Sequence, residues 1–336
     1  MPLHAGLSKN ALAVGYALAG YAGGIAAMLT DSLASNLLGV LLCAHAMLIA
    51  AYLVHEAAHN TLAISARGRA ANAQNRALGE LMSFVSGGSY ASFERIRELH
   101  LLHHKERCDV GRFDYKRFLR ARPRWQRSLV HALEWAYVPA VELIMHAQVV
   151  VRPFFDRTQR AHLPRVVAML LLRGGLLVLL ASSSVKAVLL YFVAYWLLLT
   201  ALGFFDAFHH TYEQFFVAAG AFTHARRPDR AYERANTFSN LVSERHPWLN
   251  LLTLNFGYHN AHHERPGEPW FRLPAVHREL FDERPRALLP LRELLRTFHH
   301  NRVRRVLDDD YGAVGEGPGR ADGFVGAHGV SFLSVV

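Results

Sequence analysis

The stretch Glu98-Leu99-His100-Leu101-Leu102-His103-His104-Lys105-Glu106-Arg107-Cys108-Asp109 decides how the chain reads. His100, His103 and His104 fall at i, i+3 and i+4, so on a helix three imidazoles share one face within reach of a common centre. Neutral imidazole is a common nitrogen ligand for zinc, iron, copper and nickel, and such a face reads as part of a metal shell. A basic, solvated helix that carries three histidines by chance is the competing reading of this stretch taken alone.

Two further clusters weigh against chance. Val54-His55-Glu56-Ala57-Ala58-His59-Asn60 places two histidines at i, i+4, and Gly257-Tyr258-His259-Asn260-Ala261-His262-His263-Glu264-Arg265 repeats the central spacing. The patterns are HxxxH, HxxHH and HxxHH, eight histidines in all. Eight imidazoles exceed the three or four protein ligands of a tetrahedral zinc but suit two irons of higher coordination number. The chemistry implied is oxidative.

Working outward, the boxes alternate with apolar runs. Residues 11 to 29 carry no charge and are long enough to cross a bilayer core as a helix. A cleaved signal peptide is the alternative there, but a second run at 33 to 54 follows after a short loop, which favours a retained span. Residues 166 to 181 and 185 to 205 form two more spans, the former carrying Arg173, a charge that burial or pairing must relieve. Residues 75 to 92 are too polar to span and read as an interfacial or half-buried helix, and 129 to 150 as an amphipathic or re-entrant segment. His45 lies within the second span and is left outside the site.

The fold class expected is therefore all-α, an integral membrane protein of about four transmembrane helices. A helical cap over 55–165 and 206–310 would hold a two-metal centre, so that 1–310 makes one domain. Gly312 onward is glycine-rich without apolar periodicity, and 311–336 reads as a disordered tail.

Charge sets the orientation. Of 37 Lys and Arg residues, 15 lie between 94 and 165 and another 15 between 224 and 305, while the loops near 30–35 and 182–186 hold only Lys186. Positive residues stay inside, which puts both termini and all three boxes in the cytoplasm, at the inner membrane if the source is a bacterium. The net charge of +10 also has a nucleic-acid reading. Flanking spans make anionic lipid headgroups the better partner, and no nucleic acid is expected. Cys43 and Cys108 provide neither a disulfide framework nor a CxxC site, in keeping with a reducing compartment.

The three boxes, their order and their placement beside apolar segments resemble the membrane fatty acid desaturase superfamily over roughly residues 30 to 285. The resemblance implies a non-haem di-iron centre that uses molecular oxygen, a lipid or fatty acyl substrate, and an external electron donor such as ferredoxin. Its branches also include hydroxylases, carotenoid ketolases and terminal-alkene-forming fatty acid decarboxylases, and the sequel Pro269-Trp270-Phe271-Arg272-Leu273-Pro274 is similar to that of the ketolases. Desaturation of an acyl chain is the expectation.

In the stearoyl-type branch an Asn and a His four apart complete the metal shell. Asp206 and His210 match that spacing. The resemblance thus carries His210 over as a ninth ligand, beside His55, His59, His100, His103, His104, His259, His262 and His263. Asp for Asn is a departure, so Asp206 is expected only behind the ligands, with His209 the runner-up to His210. Glu56, Asp109, Glu213 and Glu264 are carboxylates that could accept the second ring N–H of a ligating histidine, surface ion pairing being the ordinary alternative.

One rival comes from another class. His55-Glu56-Ala57-Ala58-His59 satisfies HExxH, the motif of zinc metalloproteases in which the glutamate is the general base. A single zinc would leave at least five clustered histidines unexplained.

Overall fold

The computed structural model describes residues 3–63, 68–212, 215–217, 229–281 and 287–328. Its helices are Leu3–Met28 (α1), Leu33–Ala58 (α2), Gly68–Ser86 (α3), Phe93–Glu106 (α4), Tyr115–Arg120 (α5), Arg124–Trp135 (α6) and Ala140–Phe155 (α7). Leu163–Ser183 (α8), Val185–Asp206 (α9), Arg230–Ala235 (α10), His259–Glu264 (α11), Leu273–Phe281 (α12) and Leu291–Asn301 (α13) complete them. Asp109–Gly111 (β1) pairs in parallel with Phe215–Val217 (β2). The chain forms two compact units, Met1–Ile96 with His146–Ala201 and Arg97–Met145 with Leu202–Val336.

Among the described residues, Gly6–Met28, Leu33–Ala58, Arg157–Ser183 and Val185–Asp206 are long and apolar enough to cross a membrane. They coincide with the four expected spans, each somewhat longer than its apolar run. Residues 129–150, read as amphipathic or re-entrant, fall in α6 and α7, which meet at a 119° bend. The expected helix near 75–92 begins earlier, as α3, and stops at Gly87, whose φ of +96° breaks it. A Cβ on Gly87 would meet the Tyr195 ring at 2.5 Å.

In the first unit α1 and α2 cross in close contact. A Cβ on Gly24 would lie 2.8 Å from the Gly39 carbonyl oxygen, and one on Gly39 2.7 Å from that of Gly24. Small residues at a crossing let two backbones approach where lipid supplies no hydrophobic drive between helices. The far end of α2 is tied down just beyond the first histidine box. Asn60 turns left-handed at φ +59°, and buried Asn10 donates to the carbonyls of Thr61 and Leu62 at 2.9 and 2.7 Å. Asn75 accepts from the Leu62 and Ala63 amides at 3.2 and 2.9 Å. These polar ties pair backbone groups of the buried turn that follows the helix.

The second unit has an aromatic core of Phe204, Phe208, Phe238, Leu289, Leu294 and Phe324. Phe324 brings residues 311–328, part of the stretch read as a disordered tail, into this core. Tyr311, Val314, Ala321, Phe324, Val325 and Ala327 are buried, and the Phe208 and Phe324 rings meet edge to face at 5.2 Å. Thr297 donates to the Phe324 carbonyl at 2.7 Å, and His328 reaches Glu142 at 2.9 Å and Glu134 at 3.4 Å. Turns at Gly312, Gly317, Gly319 and Gly326, each with positive φ, space these anchors irregularly, so no periodic pattern announces them. Residues 329–336 lie outside the described residues.

Candidate metal centre

The second unit brings four histidines from three stretches of sequence to one point. His103 comes from α4, His210 from just beyond α9, and His259 and His263 from α11. One ring nitrogen from each lies within 4.8 Å of the other three. The Nε2 atoms of His210 and His259 approach to 2.9 Å.

Local backbone structure explains the convergence. The segment 236–240 is laced between the end of α9 and the start of α11: the Phe238 amide donates to the His209 carbonyl at 2.9 Å and the Thr211 amide to that of Asn236 at 3.0 Å. The Asn240 amide then donates to the Gly257 carbonyl at 3.0 Å. Gly257 is required there, since a Cβ would stand 2.8 Å from the Asn240 carbonyl oxygen. Left-handed Leu254 and Asn255 redirect the chain into α11.

His100, His104 and His262 form a second group in the same unit, again with ligand nitrogens within 4.8 Å of one another. Nε2 of His104 lies 3.1 Å from that of His100 and 3.0 Å from that of His262. All seven second-unit histidines expected from the sequence are thus gathered. His55 and His59 belong to the first unit, on the last turn of α2 and its cap, with ring centroids 4.9 Å apart.

His209 does not join either group. Its ring stacks on His259 at 3.8 Å, and its Nε2 meets Asn240 Oδ1 at 3.3 Å. Asp206 is buried, 4.0 Å from His209 Nδ1.

Partners on the second ring nitrogen fix which nitrogen points inward. His103 Nδ1 donates to the Cys108 carbonyl at 2.7 Å, with Asp109 at 3.8 Å. His263 Nδ1 meets Glu233 at 3.0 Å, and Arg107 in turn holds the other oxygen of Glu233 at 2.8 Å. Glu233 was not among the carboxylates expected from the sequence. It lies 30 residues before His263, and nothing in the sequence singles it out. Of those expected, Glu264 pairs with Arg234 as a surface ion pair, and Glu213 lies outside the described residues. Glu56 is buried with Oε1 3.6 Å from His55 Nδ1, and Thr61 donates to its Oε2 at 2.6 Å.

The electrostatics suit a cation. Burial, and then the neighbouring histidines, hold His210 and His259 neutral with pKa values well below the usual 6.5, and neutral imidazole is the ligating form. Nδ1 of buried His259 has no hydrogen-bond partner among the described residues. A cavity of about 60 Å³ adjoins the group, walled by His100, His103, His210 and His259 and by the apolar Leu99, Val110 and Phe256. Nitrogen donors without thiolates suit iron, zinc or copper and not the hard oxygen-seeking cations.

A family model described as fatty acid desaturase matches residues 32–295. No curated protein matches the chain.

Proposed function

The chain belongs to the fatty acid desaturase family, a family of lipid-modifying oxidoreductases, and from that premise we propose that it is an oxygen-dependent di-iron enzyme acting on an unactivated C–H bond of a lipid acyl chain. Desaturation is the reaction we assign. The observation that carries the reading is the convergence of His103, His210, His259 and His263, with Glu233 and the Cys108 carbonyl orienting two of the rings. His100, His104 and His262 supply a second nitrogen set, and His55 and His59 complete the proposed ligands on the strength of the sequence pattern. Two irons bound by these nitrogens would supply oxygen activation.

The chain's own residues do the positioning. The Cys108 carbonyl and Glu233 fix the tautomers of His103 and His263, burial keeps His210 and His259 unprotonated, and Leu99, Val110 and Phe256 give the adjoining cavity an apolar wall. In this reading the boxes and termini face the cytoplasm of a bacterial inner membrane. Electrons come from an external donor such as ferredoxin, drawn to the basic surface.

The protease alternative is disfavoured by Glu56. An HExxH base must be directed at a metal-bound water, whereas Oε2 of Glu56 accepts from Thr61 and Oε1 faces His55 Nδ1. Metal analysis of protein purified in detergent, beside His103→Ala, tests the proposal. About two irons per chain, diminished in the variant, with altered acyl chains in the lipid extract, is the expected result. One zinc per chain that survives His103→Ala would refute it.

A further inference from the structure

A second, larger cavity lies wholly within the first unit, about 490 Å³ in volume. That is within the size range of sites for single small ligands. Ile25, Leu29, Leu176, Leu180 and Phe192 give it an apolar wall, and Arg173 lines it with the hydroxyl-bearing Tyr21, Tyr191 and Tyr195.

Arg173 is the eleventh of the 21 residues of α8, about 15 Å from either end of the helix. An arginine side chain is too short to carry its charge from there to either interface. Its donors meet neutral groups: Nη2 donates to the Phe84 carbonyl at 2.5 Å and to Ser89 Oγ at 3.0 Å, and the Tyr191 hydroxyl is also in reach. The rings of Phe84 and Tyr90 flank the guanidinium at 4.6 and 5.7 Å. Among the described residues it forms no ion pair. Arg165, two turns earlier on the same helix, contrasts with it, since both its Nη atoms reach the Glu80 carboxylate, at 3.2 and 2.5 Å.

A cation at mid-membrane without a counter-ion, facing an apolar cavity, calls for an anion that brings its own apolar tail. We propose that the cavity binds a free long-chain carboxylic acid, its carboxylate on Arg173 and its alkyl chain along Ile25, Leu29, Leu176 and Leu180. A neutral alkyl ligand would leave the charge uncompensated, and a two-chain phospholipid brings a second tail and a bulky headgroup. The site is separate in its residues from the histidine groups and does not rest on their metal.

Equilibrium dialysis of radiolabelled hexadecanoate and hexadecanol against the full chain in maltoside detergent, corrected for uptake by empty micelles, tests the assignment. Wild type is expected to hold the acid at least about tenfold more tightly than the alcohol, the order of one charge-assisted hydrogen bond. Arg173→Gln should abolish that preference while alcohol binding persists, Arg173→Lys should keep part of it, and Leu180→Trp, which fills the cavity, should weaken both ligands. Equal affinities in wild type, or a preference retained in Arg173→Gln, would overturn the proposal. Should Arg173→Gln not fold, binding of both ligands to Leu180→Trp at wild-type strength overturns it equally. His103→Ala should bind the acid as wild type does whatever its metal content; acid binding lost together with metal would locate the acid at the histidine centre instead.

Discussion

Glu233 shows what one side chain contributes here. It carries no metal-facing atom in the four-histidine group, yet it meets His263 Nδ1 and is itself held by Arg107. Removing such a partner typically costs about 10- to 100-fold in metal affinity. Glu233→Gln is therefore expected to lose metal to a chelator at a concentration that wild type withstands. Glu264→Gln, which breaks only an ion pair with Arg234, should match wild type in the same titration. The histidines were legible because spacing along one helical turn is a local property. Glu233 was not, since its approach to His263 depends on how α10 and α11 pack, and no spacing in the chain encodes that. His210 lay between: the Asp206 and His210 spacing pointed to it, but only the strap at 236–240 separates its role from that of His209.

The elements divide in the same way. Apolar runs marked the four spans because length and hydropathy are all that crossing requires. Their packing rests on single positions such as Gly24, where any side chain would press on the Gly39 backbone. Gly24→Leu should destabilise the first unit by roughly 1–3 kcal/mol or more, as overpacking does, and appear as a lowered unfolding temperature in detergent. The place of 311–328 in the core was not legible because its anchors lack a period. His328 links that segment to Glu134 and Glu142. Burial alone would lower its pKa, but the two carboxylates more than offset this and raise it from 6.5 to about 9. A raised folded-state pKa contributes stability that is full below the unfolded value and is lost as pH climbs through the folded one. Hydrogen-exchange protection in 311–328, taken relative to the intrinsic base-catalysed rate, should therefore fall between pH 6.5 and about 9 and stay full below that window. His328→Gln should show low protection throughout, without that fall.

For the whole molecule, the balance of charge governs encounters with other proteins. With 37 basic against 27 acidic residues, and most of the basic ones in two stretches flanking the spans, the surface expected in the cytoplasm attracts acidic partners at long range. Turnover driven by a ferredoxin should consequently fall steeply as salt rises from about 0.05 to 0.2 M, as screening shortens the Debye length. A flat response would mean that the electrons arrive by a route without electrostatic steering. The place of Phe324 in the core of the second unit has a consequence for biosynthesis. Translation delivers the histidine at position 103 long before that phenylalanine, at about 5–20 residues per second, so the second unit cannot close until residue 324 has left the ribosome. Ribosome-bound nascent chains stalled before residue 311 should contain the membrane helices already inserted and yet retain no iron.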